Sequence, residues 1–233
     1  MSSKLPMAEV PVVTIDGPSG TGKGVLCGYL ADWLGWHWLD SGALYRVVAH
    51  VALTRGVALD NGVALADIAA SLNVSFQQGL EESRVILDGK LDISGAIRTE
   101  TCGNAASQAA AHKAVRQALL ERQHRFRQAP GLVADGRDMG TVVFPDARLK
   151  IFLTASPEVR AGRRYKQLKD KGNSVNLARL SAEIKERDAR DAGRSISPLI
   201  PAADAIVIDT SELNIDEVCS RVAAEIKKVF RLP

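Results

Sequence analysis

Seven consecutive residues, Gly17-Pro18-Ser19-Gly20-Thr21-Gly22-Lys23, carry the plainest chemical signal in the chain. Three glycines let a backbone turn its N–H groups toward one centre, and a lysine closing the run can reach the outer oxygens of a polyphosphate. The apolar run Val12-Val13-Thr14-Ile15 before it and the helix-like run Val25–Leu34 after it supply the strand–loop–helix setting such a loop needs. The expectation is a triphosphate cradle over Gly17, Pro18, Ser19, Gly20, Thr21, Gly22, Lys23, Gly24 and Val25. Hydrolases, switches and kinases all use this loop, so it does not choose a reaction. The hydroxyl residue that commonly follows the lysine and ligates magnesium is replaced by Gly24 and Val25. Magnesium would then be held by water, phosphate oxygens and another protein group, and no direct protein ligand is identified.

Three further groups of polar residues could act on a second substrate. Ser41 stands where a helix should begin and Arg46 follows five residues later, so a hydroxyl, free N–H groups and a guanidinium could meet one phosphate. Asp135-Gly136-Arg137-Asp138 follows the apolar run Gly131–Ala134, and residues past a strand's carboxyl end line the ligand crevice of open α/β sheets. Arg187, Asp191 and Arg194 are spaced i, i+4, i+7, one face of a helix if Leu177–Ala192 continues that far. Blander readings exist for each: a helix cap, a turn-capping aspartate, and a surface ladder of Glu183, Arg187 and Asp191.

The elements that must position these groups alternate short β-rich runs with helical ones, the mark of an α/β fold on a parallel sheet. Core strands are expected at Pro11–Ile15, Trp36–Leu39, Gly131–Ala134, Leu149–Leu153 and Ala205–Ile208. Helices are expected at His112–Gln128, Pro157–Lys171, Leu177–Ala192 and Ile215–Phe230. The runs Asn73–Phe76, Ser83–Leu87 and Lys90–Ile93, with Asp88-Gly89 as a hairpin turn, predict a small antiparallel insert. No repeat or linker divides the chain, so one domain over residues 1–233 is expected, with the insert at about 68–98.

Composition bounds the class. The chain has 233 residues, 46% hydrophobic, enough for a sizeable core. No apolar run approaches a membrane span, and Met1–Val10 lacks a signal peptide's apolar core, so a cytoplasmic protein is expected. Cys27, Cys102 and Cys219 are scattered and odd in number, arguing against disulfides or a zinc site. Net charge is only +3, yet residues 160–194 hold 11 basic and 5 acidic side chains, which suggests a local polyanion site or a solvated helical face.

Lys-Gly in place of Lys-Ser/Thr resembles the nucleoside monophosphate kinases, although Val25 departs from the threonine common there. Asp40-Ser41-Gly42-Ala43-Leu44-Tyr45-Arg46, Asp135-Gly136-Arg137-Asp138-Met139-Gly140-Thr141 and Glu186-Arg187-Asp188-Ala189-Arg190-Asp191 narrow the resemblance to the bacterial cytidylate kinases. It runs from about Val12 to the C-terminal helix. The resemblance implies a P-loop NTPase fold: a five-stranded parallel sheet flanked by helices, the antiparallel insert at the monophosphate site, and a short lid at about 163–176. It also implies transfer of the γ-phosphoryl group of ATP to CMP or dCMP, with Mg²⁺ as cofactor. Lys23, Arg137, Arg187 and Arg194 would be the catalytic groups, and Arg163 would join the phosphate loop in binding ATP. Ser41, Tyr45, Arg46, Arg98, Ser107, Arg116, Arg137, Asp138, Arg187, Asp191 and Arg194 would bind the acceptor. Within that set Asp138 would accept from the cytosine amino group, with Ser107 and Arg116 beside it. Arg160, Arg163 and Arg164 share a helix face leading to the polar stretch Lys169–Asn176, read as a lid that would exclude water.

Rivals are a kinase of the same build for UMP, AMP or a small metabolite, a nucleotide-driven switch, and a nucleic-acid-binding ATPase. No Asn-Lys-x-Asp guanine motif supports the switch. With aromatic residues only 5% of the chain, little is available to stack bases. The expected partners are therefore small-molecule substrates, with no nucleic acid or membrane, acting on a monomer.

Overall fold

The computed structural model describes residues 10–77, 84–170, 172 and 174–231. Expectations for residues 1–9, for Ser83 at the start of an insert strand, and for Lys171 and Asn173 in the lid lie outside the described residues.

Five parallel strands form the main sheet: β1 (Val12–Asp16), β2 (His37–Asp40), β6 (Leu132–Gly136), β7 (Leu149–Thr154) and β8 (Ile206–Asp209), in the order β2-β6-β1-β7-β8. β1 and β6 are buried along their whole length, as strands covered on both faces must be. One face packs Leu26, Leu30, Val218, Val222 and Ile226 of α1 (Lys23–Leu34) and α8 (Ile215–Phe230) onto the sheet. The other carries α2 (Ser41–Thr54), α3 (Gly62–Ser71), α4 (Glu100–Ala109) and α5 (Lys113–His124), through a larger cluster that includes Leu44, Val48, Leu65, Ala106 and Leu119. α6 (Pro157–Asp170) and α7 (Leu177–Ala192) pack together through Ala161, Leu180 and Ile184. Cys27, Cys102 and Cys219 are free and buried. Among the described residues no helix is long and apolar enough to cross a membrane.

All five strands were expected, but each runs one or two residues past its apolar stretch. Parallel pairing carries Asp16 opposite Gly136 and Asp40 opposite Asp135. The ladder therefore sets carboxylates at the strands' carboxyl ends, and Asp135 and Gly136 belong to β6 rather than to the loop beyond it. The insert is a second, antiparallel sheet of β3 (Val74–Gln77), β4 (Arg84–Leu87) and β5 (Leu91–Asp92). The helix expected over 112–128 ends earlier, at His124, while that expected over 157–171 is helical to Asp170, the last described residue before 171. The first half of the expected lid is thus ordinary helix, the C-terminal half of α6.

Candidate active site

The phosphate loop leaves β1 at Asp16 and enters α1 at Lys23. Gly17 has φ 146°, and a Cβ there would fall 2.1 Å from the Leu153 carbonyl oxygen, so only glycine lets the loop turn against β7. Gly20 has φ 81° and rests on the backbone of Arg160. Lys23 is 6% exposed, and its Nζ donates to the Pro18 carbonyl at 2.7 Å. Burial, with Arg137 nearby, pushes its pKa down to about 8. Ser19, Gly20, Gly22, Lys23, Gly24 and Val25 face a cavity of about 570 Å³. Gly17, Pro18 and Thr21 shape the loop behind it, where the Thr21 hydroxyl donates to the Pro18 carbonyl.

The opposite wall of that cavity is cationic. Arg46, Arg98, Arg137, Arg164 and Arg187 all line it. Arg46 is held by the carbonyls of Ile97 and Thr99, at 2.8 and 3.3 Å. Arg98 donates to the Ser94 carbonyl, and Arg164 to Glu100 and the Arg98 carbonyl. Arg187 is different: its Nε is buried with no hydrogen-bond partner. Burial, then the like charges of Arg137 and Arg46, push its pKa down to about 9. A buried, unpartnered guanidinium pressed by two others is a seat for an anion.

A second, tighter cavity of about 40 Å³ opens beside the first, sharing Gly42, Arg137 and Arg187 with it. Here both carboxylates, Asp138 and Asp191, are paired, while the Nε atoms of Arg194 and of the shared Arg187 have no partner among the described residues. Asp138, 2% exposed, is paired with Arg116 of α5, whose guanidinium lies 5.4 Å above the Tyr45 ring. Asp191 accepts from the Ser107 hydroxyl at 2.6 Å, from Arg137 Nε at 3.3 Å, and from Arg194. Burial opposes the Asp191 carboxylate, yet the three arginines around it and the Ser107 hydroxyl hold its pKa below the usual value. Burial pushes the Tyr45 phenol up to about 12, so it stays neutral.

Most sequence-predicted residues thus converge, with some differences. Ser41 lines the smaller cavity and Arg46 the larger, so the two do not share one compartment. The cap of α2 is Asp40, which accepts from the Ala43 N–H at 2.9 Å, not Ser41. α7 ends at Ala192, two residues short of Arg194, which folds back onto Asp191. The surface ladder is absent: Glu183 pairs with Arg179 at 2.8 Å while Arg187 turns inward. Arg163 lines neither cavity; it donates to the Thr210 and Leu213 carbonyls, at 2.5 and 3.2 Å. Among the described residues the antiparallel strands line neither cavity, and the insert reaches the larger one through Ser94, Gly95, Ile97 and Arg98. The basic 160–194 segment divides in use: Arg164, Arg187 and Arg194 face the cavities, while Arg179, Lys185 and Arg190 pair with nearby glutamates.

Some site residues escaped sequence reasoning. Asp16 accepts from the N–H groups of Met139 and Gly140, at 2.9 and 2.8 Å, fixing the turn that presents Arg137 and Asp138. Burial raises its pKa to about 6. Asp40 and Asp135 line the larger cavity near Lys23, and burial pushes Asp135 up to about 7. Carboxylates ending buried apolar strands were the available signal. Asp188, inside a quoted motif, pairs with Arg160.

The family model described as cytidylate kinase matches residues 13–228. The cytidylate kinase of Aeromonas hydrophila subsp. hydrophila is 61% identical over 214 residues, covering 92% of this chain and 93% of that protein. That of Serratia proteamaculans is 58% identical over 226 residues, covering 97% and 98%. A shikimate kinase structure from Bacteroides thetaiotaomicron aligns at TM-score 0.43 and 11% identity over 95% of this chain and 99% of that one, a likeness too distant to argue from. With a family match and relatives of this identity spanning nearly its whole length, the chain belongs to the cytidylate kinase family.

Proposed function

We propose that the protein transfers the γ-phosphoryl group of ATP to CMP or dCMP, giving ADP and CDP or dCDP, with ATP on the phosphate loop and the acceptor in the smaller cavity. The observation that carries this reading is the junction: the phosphate-loop cavity and the charge-paired cavity share Gly42, Arg137 and Arg187. A phosphate at that junction would belong to an acceptor whose base lies in the second cavity and would face the donor in the first.

Each residue then has a task. Lys23 and the loop N–H groups hold the outer ATP phosphates. Arg46, Arg137 and Arg187 hold the acceptor phosphate in line and offset the charge that spreads over the transferred group. No general base is required, because the acceptor phosphate oxygen is already anionic. Asp138, fixed by Arg116, accepts from the cytosine N4 amino group and repels the O4 of uracil. Ser107 and Asp191 face the sugar and base edge, with Arg194 behind them. Arg163 bears on ATP only indirectly, by holding the 210–213 loop.

Magnesium fits this donor set. Asp40 and Asp135 are hard oxygen donors beside Lys23. Among the described residues no group of three ligating side chains could hold an ion alone, so phosphates and water would complete its shell. The chemistry it would supply when bound is neutralisation of charge on the phosphates.

The test is ADP production from Mg-ATP with CMP, dCMP, UMP, AMP, GMP or TMP in parallel, beside a control without acceptor. Turnover well above the rest with CMP and dCMP is expected. Equal ADP release without any acceptor would overturn the reading.

A further inference from the structure

Arg160 occupies an unusual place for a charged residue: 3% exposed, pressed against the crown of the phosphate loop. A Cβ on Gly20 would lie 3.0 Å from Arg160 Cβ and 3.2 Å from its carbonyl oxygen, so α6 and the loop touch backbone to backbone. Its guanidinium is used on three sides. Nε donates to the Ala155 carbonyl at 3.0 Å, and Nη1 to the Ser19 carbonyl at 3.2 Å. Nη1 and Nη2 also grip the Asp188 carboxylate, at 3.1 and 2.5 Å. Asp188 directly follows Arg187 on α7 and stands three residues before Asp191.

We propose that the Arg160–Asp188 pair is a positioning device for phosphoryl transfer, locking the helix that carries Arg187 to the phosphate loop so that donor and acceptor groups share one frame. The proposal rests on the reading that Arg187 meets the transferred or acceptor phosphate. Arg187 has no hydrogen bond of its own to fix it, its Nε being unpartnered, so its placement depends on how α7 is held. The apolar contact between α6 and α7 is built on Ala161, Leu180 and Ile184 with Tyr165 and Leu168 against them, and the Lys185–Glu158 pair that also spans it is exposed. A bidentate arginine–carboxylate pair sets both distance and rotation, which such a contact does not. The carbonyl of Ser19 on the same guanidinium brings the loop into the lock. A displacement of about 1 Å at such a site costs on the order of 10²-fold in rate.

The experiment compares D188N, R160K and the double variant D188N/R160K in the full chain, with R187A as reference, by steady-state kinetics and thermal melting. D188N and R160K should each lower kcat by about 10- to 100-fold. The KM for CMP should stay within about threefold, since the base cavity keeps its own pairs. The double variant should be little worse than either single one, because the pair acts as a unit. If D188N does not fold, R160K reads the same contact from the other side. Unchanged kcat with a lowered melting temperature would reduce the pair to a structural contact and overturn the proposal, as would additive losses in the double variant. If R187A kept full activity, the reading of Arg187 would fail instead, so the two failures are distinguishable.

Discussion

The two cavities are neighbours that pair their charges differently. In the smaller, Arg116 answers Asp138, while Ser107, Arg137 and Arg194 answer Asp191. Where the larger cavity meets it, Arg187, common to both, sits buried with an unpartnered Nε against Arg46 and Arg137. A base is neutral and must be read by hydrogen bonds, so its reader has to be rigid and internally satisfied. A phosphate brings its own charge, so its seat is left cationic. The difference marks which part of a substrate each cavity expects.

Four variants would break or sharpen that contrast. R187A removes the unanswered charge, and kcat with CMP should fall by about 10³-fold, within the range reported for arginines that offset transferred-group charge. D138N strikes the matched cavity instead. The kcat/KM preference for CMP over UMP should drop by about 10²-fold, and the melting temperature should fall because Arg116 is left buried without its anion. An intact preference would remove Asp138 from base reading. S107A loses one hydroxyl bond to a carboxylate, and the KM for CMP should rise about tenfold with kcat little changed.

The smallest effect concerns the carboxylates beneath both cavities. Asp135 has its folded pKa raised by burial to about 7, against 3.8 as its ordinary value. Between those values the folded chain binds more protons than the unfolded one, so this group's contribution to stability declines as pH rises from about 4 to 7. D135N abolishes that dependence. Melting curves of the nucleotide-free protein should therefore show the variant gaining on the wild type across that window, and a constant difference would contradict it.

How much could be read from the sequence followed the range of the interactions. The phosphate loop is local: seven residues, one backbone path and a lysine, all legible together. The strands were legible as apolar runs, and their polar last residues were not, because pairing with neighbours extends them. α3 and α4 went unpredicted. α4 is built from small and polar residues, Gly103, Asn104, Ala105, Ala106 and Ser107, with no apolar period. α2 was foreseen only at its start, for its run from Val47 to Ala52 is buried except at His50 and shows little of the polar face that marks a helix. The smaller cavity draws residues from 41 to 194, a span that spacing cannot connect. Family resemblance supplied Ser107 and Arg116, whereas Asp16 and the Arg160–Asp188 pair emerged only from three-dimensional neighbours.

The smaller cavity also has a bearing on time. About 40 Å³ is room for a few water molecules and not for a whole pyrimidine base. On the proposed reading, the side chains lining this cavity move apart before a base enters, and the ion pairs proposed to read it also hold it closed. Acceptor association should thus be a gated event, with an observed rate that levels off at high CMP concentration instead of climbing with every collision.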